Sequence, residues 1–456
     1  MFSAFVAGNL GDYGVKLPSA QNGVDVVFGI EYREENMEYN PDSGFQSGDG
    51  AGQGGPSLPV TGGYDVKEFY TEASIPLVEG AAYAQAITLE LGYRYSDYDT
   101  DQTADTYKIA ASWAVDEQVK FRASYQRAIR AANLREMFQP QGLNLFDMDA
   151  DPCSGVANGK SAAGYTFEQC ARTGVTQAVW DAGGPPDSPA NQYNTLQGGN
   201  PDLEPEESDT YSAGVVLAPN FIEGLTVSID YYDIEVEKAI DTLTEQTILD
   251  ECLESGSYCD QIVRGAAGSL WVGTSGYVVA TNINLASFRV KGWDIAADYE
   301  FDIGEWGTLS FNNTMGIIDS WDQTEFEGAD TDDCAGMWGD ACGYPTPDFR
   351  NVLRANWATP WDLVVSLTWR HIGEVEDMVS GSSSVDLDSA DYFDLAALWS
   401  VTDNAAVRLG VNNLLDTEPE IAGSNAGPSI NGNGNTFPGL YDALGQYLFV
   451  GATLSF

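Results

Sequence analysis

Two features are scarce in this chain of 456 residues, and each scarcity excludes a class of protein. There is no run of about 18 apolar residues, which a transmembrane helix would need. Lysine and arginine number only 20 against 69 aspartates and glutamates, so the formal net charge is −49. A nucleic-acid-binding protein needs a basic surface, and so does a protein that binds anionic lipid through charge. We therefore expect no nucleic-acid partner.

Histidine is also scarce, since His371 is the only one in the chain. A nucleophilic hydrolase needs a histidine base beside its nucleophile, and no serine elbow accompanies His371. A zinc site is poorly supported as well, because the six cysteines include no close Cys-x-x-Cys pair. We expect His371 to be a rim residue at the end of a strand. The sequence predicts a protein that is not an enzyme and has no cofactor.

The last segment of the chain shows a pattern that is abundant in this sequence, the alternation of apolar residues with other residues. Every second residue is apolar up to the last one, at Leu448, Val450, Ala452, Leu454 and Phe456. Strict alternation predicts a β-strand with one apolar face. About ten residues suffice for a tilted strand to cross a bilayer. A closing strand with a terminal aromatic residue resembles the last strand of bacterial outer-membrane β-barrels.

The same alternation recurs along the chain and predicts about fifteen strands. They lie near residues 2–9, 24–40, 64–79, 84–99, 104–116, 119–130, 207–219, 224–238, 287–302, 307–321, 348–359, 361–377, 391–402, 404–415 and 446–456. Charged side chains fall in the polar row, as a bilayer requires. The predicted fold class is all-β, a transmembrane antiparallel up-and-down β-barrel. We expect its long extracellular loops to contain short helical pieces.

The links between these strands alternate between short and long. The long links are 41–63, 131–206, 239–286, 322–347, 378–390 and 416–445. Outer-membrane barrels have short periplasmic turns and long extracellular loops, so we place every long link outside the cell. All six cysteines lie there in pairs, Cys153 with Cys170, Cys252 with Cys259, and Cys334 with Cys342. Six cysteines permit fifteen pairings, and two in each link favour disulfides within the links.

Three motifs resemble those of TonB-dependent receptors, which are active transporters of the outer membrane. Tyr125–Phe138 resembles the "RAPNLxELF" segment, with Ala132 where that pattern has proline. Gly199–Tyr211 resembles "GNPxLxPExSxxY", and Val411–Asp416 resembles the "NLxD" turn. The physical reason for these residues is barrel construction, since Asn-Pro favours turns and paired asparagines end strands.

The resemblance implies a barrel of about 22 strands preceded by a plug domain and a TonB box. Residues 1–456 would then form a partial barrel domain, without the plug and with no visible signal peptide. We expect a longer protein with the plug and about seven strands upstream. By resemblance, its partners are outer-membrane lipid, the TonB complex through the missing plug, and a small-molecule or oligosaccharide ligand.

Two sets of loop residues are candidates for binding. Weak Ca²⁺ candidates are Asp97, Asp99, Asp101, Asp147, Asp149 and Asp151, although both sets lack the glycine and glutamate of an EF-hand loop. A solvated acidic turn is the alternative. Ligand-binding candidates are the loop aromatics Trp271, Tyr277, Trp321, Trp338, Tyr344 and Tyr441, which suit sugar rings or planar chelates but equally suit loop packing.

The function that the sequence predicts is energised uptake of a scarce solute, an oligosaccharide or a metal chelate, across the outer membrane. The alternative is a passive porin-like or ligand-binding surface barrel without TonB coupling. Because the loops are acidic and nearly free of lysine, they favour neutral glycans or cationic cargo over anionic chelates.

Overall fold

The computed structural model describes residues 1–48, 50, 56–326, 328–339, 341–378, 385–422 and 435–455. The strands are β1 (Phe2–Asn9), β2 (Asp25–Tyr39), β3 (Val60–Ala81), β4 (Ala84–Tyr98), β5 (Thr103–Ala114), β6 (Val119–Arg130), β7 (Gly142–Asp147), β8 (Gln192–Gly198), β9 (Glu206–Leu217), β10 (Leu225–Asp241), β11 (Ile262–Val263), β12 (Tyr277–Thr281), β13 (Ile283–Asp302), β14 (Thr308–Thr324), β15 (Thr331–Asp333), β16 (Met337–Gly339), β17 (Gly343–Thr346), β18 (Phe349–Ala358), β19 (Leu363–Ile372), β20 (Glu376–Asp377), β21 (Ala390–Thr402), β22 (Ala405–Asn412) and β23 (Tyr447–Leu454). The helices are α1 (Ser43–Ser47), α2 (Leu134–Phe138), α3 (Phe167–Arg172), α4 (Gln177–Asp181) and α5 (Glu245–Glu254). Short 3-10 turns lie at Leu10–Tyr13, Cys259–Gln261, Ala266–Gly268 and Gly304–Trp306.

One antiparallel sheet contains the long strands in the order β1-β2-β3-β4-β5-β6-β9-β10-β13-β14-β18-β19-β21-β22-β23, and β15 adds to β14. The fifteen predicted strands are confirmed. The largest difference in their bounds is at β19, which ends at Ile372 rather than at 377. There the chain leaves the sheet because Val375 pairs with Leu387 inside the loops. The terminal Phe456, predicted to close the last strand, lies outside the described residues.

The two faces of this sheet differ as the alternation predicts. Across β18, β19 and β21, Arg354 pairs with Thr368 and Thr368 with Asp394 on the polar face. On the other face, Leu367 pairs with Leu395 and is 41% exposed. Many other large apolar side chains of the sheet are exposed too. Such a continuous exposed apolar face requires lipid rather than water. None of the helices in the described part of the chain has the length and apolar character that a membrane crossing requires.

The long links fold on one another and contain most of the buried side chains among the described residues. A small sheet of order β11-β12-β8-β7 joins the link before β9 to the link after β10, with β12 parallel to β8. Helix α5 covers this sheet with Ile248 and Leu249, which are fully buried. We call residues 142–198 and 243–281 together the stapled unit, because two disulfides lie inside it.

Those disulfides join Cys153 to Cys170 and Cys252 to Cys259, and a third joins Cys334 to Cys342. These are the within-link pairs that the sequence predicts. Cys153, Cys170 and Cys252 are fully buried. The disulfides therefore belong to packed loop cores.

A second core lies where the links around β16, β20 and the segment before β23 meet. Its members are Trp338, Ile372, Val375, Leu387, Ala390, Tyr392, Ala422, Phe437 and Tyr441. The three short strands β17, β16 and β20 pair beside it. We call this group the aromatic loop core.

Candidate functional site

A cavity of about 440 Å³ opens where the long links meet the ends of β2 and β3. Its apolar wall includes Met37, Leu58, Val60 and Leu143, and its polar groups come from Arg135, Gln139, Asn144 and Gln197. Ligand pockets commonly have such volumes and combine apolar walls with a few polar groups. We call it the mouth cavity.

The position of Arg135 in the mouth cavity follows from the short helix α2. The Asn133 side chain caps this helix by accepting from the backbone amides of Arg135 and Glu136, and the Glu136 carboxylate accepts from the backbone amide of Asn133. This reciprocal capping box fixes the first turn. Arg135 then donates Nε to Gln139 Oε1 at 2.9 Å. The remaining guanidinium nitrogens have no hydrogen-bond partner among the described residues.

A larger cavity, about 1040 Å³, follows the polar faces of β2 to β6 below the mouth cavity. Tyr64, Tyr70 and Tyr98 contribute rings, and Arg94 stacks 5.4 Å from the centre of the Tyr70 ring. Both cavities are lined by residues of β2 and β3, but at different positions along these two strands. The two cavities have no lining residue in common, and we call the stretch of β2 and β3 along which both lie the polar path.

Ion pairs neutralise most of the arginines on this path. Glu68, which is largely buried, accepts from Arg94 Nε at 2.9 Å and from Ser96 Oγ at 2.6 Å. Arg130 donates to Glu206 and Glu136 at the upper end. A paired guanidinium keeps hydrogen-bonding capacity but adds little net charge. The wall of β2 to β6 is thus polar and close to neutral.

The structure brings three of the six predicted aromatic ligand residues together. Trp338 and Tyr441, each 1% exposed, lie in the aromatic loop core, and Tyr344 packs against that core. Trp338 donates Nε1 to the carbonyl of Val385 at 3.1 Å, and its ring centre lies 5.4 Å from that of Phe437. The contacts that Trp338, Tyr344 and Tyr441 make in the structure are thus contacts within the loop core.

The other three aromatic candidates lie elsewhere. Trp271 packs against the core of the stapled unit and donates Nε1 to the carbonyl of Pro186 at 2.8 Å. Tyr277 begins β12 in the same unit, and Trp321 lies in β14, paired with Val290. All three are partly exposed. None of the six lines the mouth cavity or the wall cavity in the described residues.

The weak Ca²⁺ candidates do not converge on one point. Asp97 is the last residue but one of β4, with Asp99 and Asp101 beyond the strand, and Asp99 accepts from the backbone amide of Asp65. In the second set, Asp147 ends β7 and Asp149 is exposed. No group of three or more histidine, cysteine, aspartate or glutamate side chains in the described ranges could hold a metal ion.

Asp151 has a different environment from the other acidic candidates, since it is buried and already paired. Arg264 Nη1 donates to its Oδ2 at 2.6 Å, and Nη2 donates to Oδ1 at 3.2 Å. The same guanidinium also donates to Thr173 and to the carbonyl of Gly268. The carboxylate of Asp151 thus links two segments of the stapled unit.

His371 lies near the end of β19, the position expected for a rim residue. Its Nδ1 lies 2.9 Å from Asp391 Oδ1, and Trp369 Nε1 donates to the same oxygen at 2.7 Å. No nucleophile hydroxyl is within hydrogen-bond distance of its ring among the described residues.

The residues of the mouth cavity were not predicted as site residues. Arg135 and Gln139 fall in or beside the Tyr125–Phe138 motif, which sequence reasoning assigns to barrel construction. Met37, Leu58 and Gln197 come from three separate parts of the chain. Only Arg135 could have been recognised as a candidate from the sequence, because it is a cation in a segment of turn and helix-cap residues.

Comparison with known proteins adds to this geometry. The family model for TonB dependent receptor-like β-barrels matches residues 4–414. The chain belongs to the TonB-dependent receptor family. Family membership implies an outer-membrane location, and the members of this family are transporters rather than enzymes. No curated protein sequence matches the chain.

Solved structures of TonB-dependent siderophore receptors share the fold. A mutant of the ferric enterobactin receptor PfeA from Pseudomonas aeruginosa, in complex with enterobactin, is 17% identical with a TM-score of 0.64. The match covers 100% of this chain and 54% of that one. The siderophore receptor PirA from Acinetobacter baumannii is 13% identical with a TM-score of 0.60, again over 100% and 54% of the two chains.

The FrpB iron transporter from Neisseria meningitidis is 12% identical with a TM-score of 0.50, over 95% of this chain and 52% of that one. At these identities the likeness shows the fold alone. The chain spans about half the length of the solved structures that it matches.

Proposed function

We propose that this chain is the barrel part of an outer-membrane transporter that takes up a scarce solute with energy delivered through TonB. The observation that carries the proposal is the polar path from the mouth cavity to the wall of β2 to β6, on a chain of the TonB-dependent receptor family. A solute captured between the long links would meet hydrogen-bonding groups along the wall. The wall would then guide it inward.

For the solute class, a metal chelate is favoured over an oligosaccharide. Three similar solved structures are described as ferric enterobactin, siderophore or iron receptors and transporters. The mouth cavity also combines an apolar wall with the Arg135 guanidinium, which suits an amphipathic, oxygen-rich ligand. The partly exposed aromatics Trp271, Tyr277 and Trp321 remain proposed contacts on the outer side.

The test is uptake of ⁵⁵Fe-enterobactin by cells that lack their own catecholate receptors and express the complete reading frame that contains this chain. We expect accumulation that saturates with concentration and stops when TonB is deleted or the proton gradient is collapsed. The variant Arg135→Gln should raise the half-saturating concentration, and Lys120→Gln, which removes a distant exposed cation, should not. Accumulation that ignores TonB and rises linearly with concentration would instead establish a passive pore.

The passive porin-like or surface-binding barrel stays as the second candidate. It is supported by the sheet itself, whose strands β2 to β6 supply polar side chains to both cavities. Single-channel conductance in planar bilayers separates the two. A steady open pore favours this candidate, whereas energised transport requires a closed resting state.

A further inference from the structure

Strand β7 lies at the edge of the small loop sheet of order β11-β12-β8-β7, and one of its sides has no neighbouring strand in the described part of the chain. A free edge presents a row of unpaired backbone N–H and C=O groups. The opposite edge of this sheet is β11, which has only two residues. Strand β7 has six residues and contains neither lysine nor proline, which commonly protect such edges. Its free edge is therefore long enough to pair with another strand.

The hydrogen bonds of β8 show which groups of β7 face the free edge. Leu145 of β7 lies opposite Asn194 of β8, and the Asn194 amide donates away from β7, to the carbonyl of Leu270 at 2.8 Å. In an antiparallel pair, two residues that lie opposite each other exchange either both backbone bonds or neither. The N–H and C=O groups of Leu145 therefore point to the free edge, and those of Leu143, two positions earlier, point the same way.

The side chain of Asn144 satisfies only one of these edge groups. Its Oδ1 accepts from the Leu145 amide at 2.9 Å, while its Nδ2 donates to Gln197 at 3.1 Å. The amide of Leu143 and the carbonyls of Leu143 and Leu145 have no partner among the described residues. Backbone groups of this kind bond to water or to a ligand. An incoming peptide backbone could take all of them, with its own carbonyl in place of the Asn144 oxygen.

The mouth cavity lies against this edge strand. It is lined by the three consecutive residues 142–144 of β7, whereas the partner strand β8 contributes only Gln197. Across the cavity lie the apolar side chains of Met37 and Leu58 and the guanidinium of Arg135, whose Nη nitrogens have no partner in the described ranges. A strand added to β7 would place its side chains at this cavity. An apolar side chain and a carboxylate are the groups that complement such a lining.

We propose that the free edge of β7 binds an extended peptide segment, which joins the small loop sheet as a further strand and places an apolar side chain and a carboxylate at the mouth cavity. The proposal rests on the uptake function proposed above and narrows its solute to compounds with a peptide backbone, including metal chelates built on one. In this mode of recognition, main-chain hydrogen bonds supply the affinity and pockets for side chains supply the specificity.

The test uses the peptide acetyl-Thr-Val-Thr-Leu-Glu as the probe. The matched control is the same peptide with every amide N-methylated, which keeps the side chains and the charge but has no N–H to donate. The protein is expressed from the complete reading frame and purified in a neutral detergent, and heat-dependent gel migration confirms that it is folded. We expect saturable binding of the probe alone. Carbonyls of the probe labelled with ¹³C should show an amide I band that moves to lower frequency on binding, the infrared signature of a strand within a sheet.

Two changes at one position separate the backbone of β7 from its side chains. Leu143→Pro removes an N–H that faces the free edge, at an edge position where proline is tolerated, and should raise the Kd of the probe about tenfold. Leu143→Ala also shortens the side chain but keeps that N–H, so its effect on the Kd should be much smaller. Equal effects of the two changes would overturn the site.

The comparison of the two peptides decides the question even if Leu143→Pro does not fold. Equal binding of the probe and its N-methylated control, or binding without a shift of the labelled amide I band, would also overturn the site. Energised uptake of ⁵⁵Fe-enterobactin by cells, with no binding of the probe, would count against this site alone. Binding of the probe with the expected infrared shift, but no energised uptake, would count against the proposed function alone.

Discussion

Arg264 and Asp151 are separated by 113 positions in the chain, yet their side chains form an ion pair that water does not reach. Their exposed fractions are 2% and 0%, and 2.6 Å separates Nη1 from Oδ2. The pair joins the segment after β7 to the segment after β11. It fixes the two halves of the stapled unit against each other.

Replacing one member of this pair should open the stapled unit. Asp151→Asn leaves the Arg264 charge buried without its counter-ion, and such changes cost about 3–5 kcal/mol. We expect faster amide exchange and faster proteolysis in residues 142–198 and 243–281, with the sheet unaffected. Asp149→Asn, an exposed neighbour, is the control. Equal protection in both variants would show that the ion pair does not hold the unit together.

A close contact on the inner wall gives a second prediction. The ring of Tyr70 lies directly over Gly29 of the neighbouring strand, in the space that a side chain at 29 would occupy. Gly29→Ala should therefore destabilise the sheet by about 1–3 kcal/mol, because the ring and the stacked Arg94 must move. Gly8→Ala, where no atom lies within 4 Å of the new methyl group, should have little effect. The measurement is the temperature at which the folded gel band disappears, and identical temperatures for the two variants would refute the prediction.

The aromatic loop core should depend on Trp338 for packing. Trp338→Ala removes a fully enclosed ring and one hydrogen bond, and such truncations cost about 3–5 kcal/mol. Amide exchange should increase in residues 385–390 and 435–445. Trp271→Ala disturbs the stapled unit instead and should leave those residues protected. If Trp338 acted only as a ligand contact, the exchange pattern without ligand would not change.

A pH dependence follows from Glu420, which lies next to the aromatic loop core. Burial, and then the charge of Asp388, raises the pKa of Glu420 above its ordinary value of 4.5. Because the folded state binds the Glu420 proton more tightly than the unfolded state, protonated Glu420 stabilises the fold. This stabilisation is complete below about pH 4.5 and is lost as the pH rises through the raised pKa. Glu420→Gln should thus increase protection of residues 435–445 at pH 7 and have no effect at pH 4. The exposed Glu418→Gln serves as the control, and an effect of Glu420→Gln that is independent of pH would contradict this explanation.

The sheet could be predicted from the sequence because its signal is local. In β19, Val365, Leu367 and Trp369 alternate with Ser366, Thr368 and Arg370, and this pattern is sufficient to predict a strand between lipid and water. The disulfide pairs could also be predicted from the sequence, since each disulfide joins two cysteines of one long link.

The loop cores could not be predicted in the same way. Strands β8 and β12 are short and pair in parallel although residues 199–276 lie between them, so neither alternation nor spacing indicates the contact. For the same reason the sequence left open whether Trp338 and Tyr441 bind a ligand or pack in the loops, and both are buried in the structure. Whether an aromatic residue in a loop packs or binds depends on distant residues.

The parallel pairing of β8 with β12 also constrains the order of events during folding. The partner segments lie on either side of the β9–β10 hairpin, so the stapled unit cannot be completed until that hairpin has been synthesised and turned back. Contacts between such distant segments form slowly because a long loop must close first. The time at which the backbone amide of the buried Tyr193 on β8 becomes protected would therefore report this late step, and pulse-labelled hydrogen exchange can measure it.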